Sequence, residues 1–254
     1  MTPEREARLL KVLQQRQPDM SLITERVHKP RNIAALVRSC DAVGIAKMHF
    51  VAPKEGYGGL NGTSMGSDQW VETCSYQTVD EAITSVKREG MMVYAAHLSE
   101  QAIDFRDVDY TQPFALMLGA EKEGISPKAA ALADQHIAIS MMGMVESFNV
   151  STAAGIILVE AQRQRLLAGM YQREGLGPTQ RARILFEARN PKLSRYYRLA
   201  EQPYPRYDLQ GFLVDPQETH TVVAKGRALS IQAKKISRQE RRLLKSQRWS
   251  VLSE

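Results

Sequence analysis

The sequence predicts an α/β protein built on a mainly parallel sheet flanked by helices, with helical extensions at its N- and C-terminal ends. Three observations carry this. Between Val27 and Gly169 short apolar runs alternate with helical stretches, the rhythm of a parallel sheet whose crossovers are helices. The apolar runs are continuous rather than alternating, as strands covered on both faces must be. After Gly175-Leu176-Gly177-Pro178 the rhythm stops. The chain therefore divides into a basic N-terminal helix over 1–26, an α/β domain over 27–175 and a C-terminal extension over 176–254.

Residues 1 to about 25 read as a basic amphipathic helix. Arg5, Arg8, Lys11 and Arg16 recur on one side, Leu9, Leu10, Val12 and Leu13 supply an apolar stripe, and Gln17-Pro18-Asp19 stops it. The pattern next gives a helix over Asn32 to Val43 and a strand over Met48 to Ala52. A helix over Thr78 to Glu89 and a strand over Met92 to Ala96 follow. The strand Phe114 to Leu118 leads to a helix over Pro127 to Ala133, and the strand Ile137 to Met141 leads to a long helix over Val150 to Ala168. Ser147 or Asn149 caps that last helix, since a short polar side chain there can satisfy a free backbone N–H. Beyond it, Pro191, Pro203 and Pro205 break up the extension.

Composition excludes several classes of function. With 254 residues, 43% of them hydrophobic, the chain can bury a full core. Its longest apolar stretches, such as Ala153 to Val159, fall well short of the roughly 20 residues that a membrane span needs. Thr2-Pro3-Glu4-Arg5-Glu6 is unlike an apolar secretion signal, so no membrane and a cytoplasmic location are expected. Cys40 and Cys74 lie in unrelated contexts, and the histidines at 28, 49, 97, 136 and 220 make no HExxH pair, so neither a disulfide framework nor a metal site is expected. There is no GxGxxG after a strand, no phosphate-binding GxxxxGK[ST] and no GxSxG, which argues against dinucleotide oxidoreductases, P-loop enzymes and hydrolases.

The net charge is +6, but its distribution is uneven. Nine basic residues between Lys225 and Arg248 stand against Glu240 alone, +8 in all, which leaves −2 for the rest of the chain. Such a tail is either a solvated extension or an RNA-binding one.

Three segments stand out at strand ends. Gly119-Ala120-Glu121-Lys122-Glu123-Gly124 follows a strand and places glycines where backbone must bend tightly or approach a ligand. Met141-Met142-Gly143-Met144-Val145-Glu146-Ser147-Phe148-Asn149 follows another. Its methionines suit either ordinary core packing or a soft apolar surface for a flat purine. The third is His28-Lys29-Pro30-Arg31-Asn32-Ile33-Ala34-Ala35-Leu36-Val37-Arg38, with Asn32 at a helix start. Arg38 there is either a side chain snorkelling to solvent or a cation aimed at a phosphate.

Together these segments resemble the motifs of the SPOUT-class RNA 2′-O-ribose methyltransferases, in particular the TrmH-type tRNA guanosine-18 family. The likeness covers essentially residues 1–175. It includes Arg16-Gln17-Pro18-Asp19, Asp104-Phe105-Arg106, Val108-Asp109-Tyr110-Thr111, Ala131-Leu132-Ala133-Asp134 and Glu160-Ala161-Gln162-Arg163-Gln164-Arg165. The resemblance implies a SPOUT fold with a C-terminal deep trefoil knot and a site formed across a homodimer. It implies S-adenosyl-L-methionine (AdoMet) as the methyl donor and the ribose 2′-hydroxyl of guanosine 18 in the tRNA D-loop as acceptor. A pocket for AdoMet would use Ala96, Gly119, Glu121, Gly124, Ile139, Met144, Ser147 and Phe148. Arg38 would activate the hydroxyl or stabilise its oxyanion, with Asn32, Glu121, Ser147 and Asn149 completing the catalytic set. Arg5, Arg8, Lys11, Arg16, Arg31, Arg163, Arg165 and Arg173 would hold the tRNA backbone. Arg31, Ser140, Glu146 and Phe148 depart from the residues common in the family, and the chain after about Arg189 departs furthest. The same motifs suit a ribosomal RNA 2′-O-methyltransferase, and a non-catalytic RNA-binding module would be a further alternative.

Overall fold

The computed structural model describes residues 1–51, 70–173 and 175–230, and divides the chain into two compact units that meet in sequence at Leu176 and Gly177. The first, Thr2–Leu176, is built on a seven-stranded, wholly parallel sheet of order β3-β2-β1-β6-β4-β7-β5. Its strands are β1 (Gln17–Glu25), β2 (Ile45–Val51), β3 (Glu72–Tyr76), β4 (Met92–Ala96), β5 (Ile103–Asp104), β6 (Phe114–Leu118) and β7 (Gln135–Ala138).

The N-terminal helix is shorter than expected. α1 covers Pro3–Gln14, opened by a Thr2 hydroxyl that accepts the Arg5 N–H and buried along Leu9 and Leu13. The residues expected to continue it form β1 instead. Pro18 disfavours the helical conformation at Gln17, and the run from Met20 to Thr24 is buried on all sides, so it has no polar face for an amphipathic helix to show. β1 sits mid-sheet between β2 and β6, with an irregularity in its β2 register between Gln17 and Ser21 that accommodates the proline.

β4 and β6 match the predicted runs. β2 begins earlier than expected, at Ile45, and the expected end residue Ala52 lies outside the described residues. β7 ends at Ala138 rather than Met141, because the chain leaves the sheet there for an exposed loop. β3 and β5, which the sequence did not announce, are edge strands with little apolar character.

Two pairs of helices cover the sheet. α2 (Pro30–Ala42) and α5 (Val150–Leu167) pack on one face, burying Leu36, Val37, Cys40, Ile157 and Leu158 against Met20, Leu22, Met48 and Leu116. α3 (Val79–Arg88) and α4 (Pro127–Leu132) cover the other, where Val79, Ile83, Val86 and Ala129 meet Ile23, Val93, Ala115 and Met117. Each fully buried aliphatic side chain contributes about 1.5–3 kcal/mol. Thr78 and Glu81 form a reciprocal capping box on α3, and Ser126 caps α4.

In the second unit α6 (Pro178–Arg189) and α7 (Pro191–Leu199) are followed by a turn closed by the Tyr207–Leu213 bridge. Phe186 stacks on Tyr207 with ring centroids 4.7 Å apart. Gly211, at φ +79°, presses on α6 so closely that a Cβ there would fall 2.4 Å from the Phe186 nitrogen. Residues 220–230 are helical. Of the basic tail, Lys225 and Arg227 are exposed, whereas Lys234 to Arg248 lie outside the described residues. Among the described residues no helix is long and apolar enough to cross a membrane, and no cluster of His, Cys, Asp and Glu could hold a metal ion.

Candidate active site

Because every strand pair is parallel, all carboxyl ends lie along one edge of the sheet, where α/β proteins place their ligands. Four adjacent strands, β1, β6, β4 and β7, carry the three singled-out segments and Ala96 to that edge. β1 leads through His28 to Asn32 in the first turn of α2. β6 runs straight into Gly119. β4 ends at Ala96, and β7 opens the loop from Ile139 to Asn149.

The Gly119 loop folds back on itself. The Ala120 N–H donates to the Gly124 carbonyl at 3.0 Å, the Gly124 N–H donates to the Ala120 carbonyl at 2.9 Å, and Gly124 takes φ +66°. A Cβ at Gly119 would lie 2.0 Å from the Gly124 carbonyl carbon, so only glycine fits. The loop is then pinned from below: buried Glu25, at the end of β1, accepts the Ser126 N–H at 2.7 Å. Sequence reasoning passed over Glu25, although a carboxylate closing an apolar strand was a visible signal.

A hydrogen-bonded chain joins the three segments. Asn149 caps α5, its Oδ1 accepting the Ser151 N–H at 3.0 Å and the Ser151 hydroxyl at 2.7 Å. Its Nδ2 donates to Asn32 Oδ1 at 3.3 Å, and Asn32 Nδ2 donates to Glu121 Oε1 at 2.6 Å. The cap is thus Asn149 and not Ser147, which is exposed. His28, unremarked in the sequence, brings its Nδ1 to 3.3 Å from Glu121 Oε2.

The other residues expected to hold a cofactor divide into two groups. Ala96 and Ile139 pack, half-buried, on the same core cluster. Met142 and Met144 are 94% and 100% exposed, which removes the core-packing reading for these two, while Met141 is half-buried and Phe148 is exposed. Arg38 projects from α2 into solvent, and among the described residues it makes no hydrogen bond or ion pair.

Two expected RNA contacts are corrected. Arg16 is buried, its guanidinium given to the Asp41 carboxylate and to the Ile45 carbonyl at 3.0 Å. Arg165 is buried over the Phe114 ring and bonded to Asp19 Oδ1 at 2.6 Å, the Tyr110 carbonyl at 2.8 Å, the Gln112 carbonyl at 3.0 Å and Gln17 Oε1 at 3.1 Å. Both cations knit the sheet to its neighbours; Arg165 has all its nitrogens engaged, and the one unpartnered nitrogen of Arg16, Nε, is buried away from any phosphate. Arg5, Arg8, Lys11, Arg31 and Arg173 are exposed, as is Arg163, which forms a two-point pair with Glu160.

The chain belongs to the SpoU rRNA methylase family, whose model matches residues 19–159, and a model of the family's C-terminal segment matches residues 163–216. The likeness therefore runs beyond residue 175, where the sequence had placed its end. At the level of particular relatives, the chain is 44% identical to the Escherichia coli (strain K12) tRNA (guanosine(18)-2′-O)-methyltransferase, over 83% of this chain and 93% of that one. It is 50% identical to a protein of the same name from Thermus thermophilus, over 72% and 95%. Among solved structures it resembles the A. aeolicus TrmH/SpoU tRNA modifying enzyme, with a TM-score of 0.64 and 39% identity over 68% of this chain and 89% of that one. It also resembles the Streptomyces viridochromogenes SpoU methyltransferase AviRb in complex with AdoMet, with a TM-score of 0.53 and 26% identity over 59% and 62%.

Proposed function

We propose that this chain methylates the ribose 2′-hydroxyl of guanosine 18 in the D-loop of tRNA, using AdoMet. The observation that carries the proposal is the hydrogen-bonded chain from Glu121 through Asn32 to Asn149, which unites the three motif segments at one sheet edge, with Arg38 exposed on the same helix as Asn32. The names of the two relatives support the substrate.

The residues fit AdoMet. The Gly119–Gly124 loop, closed by two backbone hydrogen bonds, exposes Lys122, Glu123 and Gly124, and exposed Met144 and Phe148 offer an apolar surface for an adenine ring. Ala96, Gly119, Gly124, Ile139, Met144, Ser147 and Phe148 would hold it. When bound it supplies an activated methyl group. Arg38 binds the phosphate next to the target ribose and stabilises negative charge as the 2′-oxygen takes the methyl group and its proton passes to solvent water; a guanidinium, always protonated, suits that role better than that of base. Asn32 and Asn149, locked by Glu121 and by the α5 cap, fix the segments that flank the ribose.

The exposed cations Arg5, Arg8, Lys11, Arg31, Arg163 and Arg173 hold the tRNA backbone, in the N-terminal helix and around α5. A homodimer is supported by exposed Val145 and Phe148 in the site loop and by Val159, Leu166 and Leu167 along α5, apolar area that a second copy would cover. The family likeness further supports a trefoil knot in the segment that carries the loops, and a tRNA substrate accords with a cytoplasmic location.

Incubation with labelled AdoMet and separate pools of unmodified tRNA and ribosomal RNA, followed by mapping of the methylated ribose, tests this. Label at guanosine 18 is expected, with tRNA binding that weakens steeply from low to moderate salt. Transfer to ribosomal RNA alone, or to neither, refutes it.

A further inference from the structure

Glu121 is nine-tenths buried, and its two oxygens are unlike. Oε1 accepts from Asn32, whereas Oε2 is buried without a hydrogen-bond partner. The direction of the chain can be read without ambiguity, because it starts at a backbone donor. The Ser151 N–H fixes Asn149 Oδ1, so Asn149 Nδ2 must face Asn32. Asn32 then presents Oδ1 to Asn149 and Nδ2 to Glu121, which has to be an acceptor there. The amide orientations hold only while Glu121 keeps Oε1 as an acceptor in its present rotamer. A buried Oε2 left without a donor is costly and favours rotation of the carboxylate out of that position. Among the described residues one basic side chain lies within 4 Å of Glu121, the His28 imidazole, 3.3 Å away through Nδ1 and half exposed. The neighbouring charges Arg26, Lys29, Arg31, Lys122 and Glu123 make no ion pair with it.

We propose that His28 is a positioning residue for methyl transfer: its half-exposed ring, 3.3 Å from Glu121 Oε2 through Nδ1, turns to donate to that oxygen and so holds the carboxylate in place and, through it, the orientation of Asn32 and Asn149. Asn32 and Glu121 are 89 residues apart and Asn149 and Asn32 are 117 apart, so His28 closes a network drawn from all three segments. The proposal rests on the ribose-methyltransferase reading of the site.

The test compares wild type with His28→Ala and His28→Asn, the latter keeping a donor near the place of Nδ1. In His28→Ala kcat on unmodified tRNA falls on the order of tenfold or more, while tRNA affinity and the thermal midpoint stay within error. His28→Asn restores most of kcat. An alanine variant that keeps kcat but binds tRNA more weakly makes His28 a phosphate contact and overturns the proposal, and so does failure of asparagine to rescue. If wild type transfers no methyl group at all, the function reading fails on its own, and the His28 link is read from the side-chain amide NMR signals of Asn32 and Asn149. Those signals shift in His28→Ala and return in His28→Asn; unmoved signals in the alanine variant overturn it.

Discussion

Replacing Arg165 by methionine separates a structural cation from an RNA-binding one. Methionine keeps the length and apolar contact with Phe114 but removes every donor that now serves Tyr110, Gln112, Gln17 and Asp19. Asp19 is about one-third exposed and can regain water, so the loss of its charge partner is partly screened. The carbonyls of Tyr110 and Gln112 are the expensive part, since a buried acceptor left without a donor costs about 1–3 kcal/mol. A total near 3 kcal/mol follows, at the lower end of what breaking a buried ion pair costs. For a chain of this size that lowers the unfolding midpoint by roughly 6–12 °C. Calorimetry or urea unfolding measures it, with filter binding to tRNA across a salt series alongside. An Arg165→Met protein with an unchanged midpoint and a shallower salt slope would refute the structural assignment and return Arg165 to the RNA surface. Arg165→Lys recovers only part of the stability, because one ammonium cannot reach acceptors arranged around a planar fork.

Three further outcomes are expected. Arg38→Ala abolishes turnover while leaving AdoMet affinity, measured by titration calorimetry, nearly unchanged; retained methylation contradicts its role. Gly119→Ala forces apart the Ala120–Gly124 bridge and its two hydrogen bonds, about 1 kcal/mol each, and weakens AdoMet binding by about tenfold or more, so an unaltered affinity would show that the loop is not the pocket wall. His49 is wholly buried on β2, with Nδ1 3.0 Å from the Tyr76 hydroxyl and Nε2 unpartnered, and burial, aided by Lys47, holds its pKa down at about 4. The unfolded chain therefore binds a proton that the native one refuses, so stability present above pH 6.5 falls as the pH drops toward 4. The loss amounts to about 2 kcal/mol between pH 7 and 5 by urea unfolding, and His49→Gln removes most of that slope.

Much of the fold could be read from the sequence where burial was uniform. β4 and β6 are sheathed on both faces, so their apolar runs are unbroken and their limits plain. β1 was hidden because its apolar run follows directly on the stripe of α1, and the few residues of different character between them were too few to separate strand from helix. β3 and β5 owe their pairing to neighbours rather than to composition. The proposed site residues were reached through family likeness, and the structure joins three of them, Asn32, Glu121 and Asn149. Arg16 and Arg165 were misread because charge pattern cannot tell a cation facing water from one facing buried carbonyls. The role of His28 was beyond reach, since nothing local to His28-Lys29-Pro30 reveals a carboxylate held in another loop.

Asn149 ends the hydrogen-bonded chain and begins α5 with the same side chain. Its amide has no fixed direction until the first turn of α5 offers the Ser151 N–H. During synthesis, β1, α2 and the Gly119 loop leave the ribosome well before that turn exists. A nascent chain can therefore own every strand of the sheet and still lack the ordered trio, and competence arrives with the last helix of the unit. A truncation that stops short of it would yield a sheet with the right loops and no defined geometry among them.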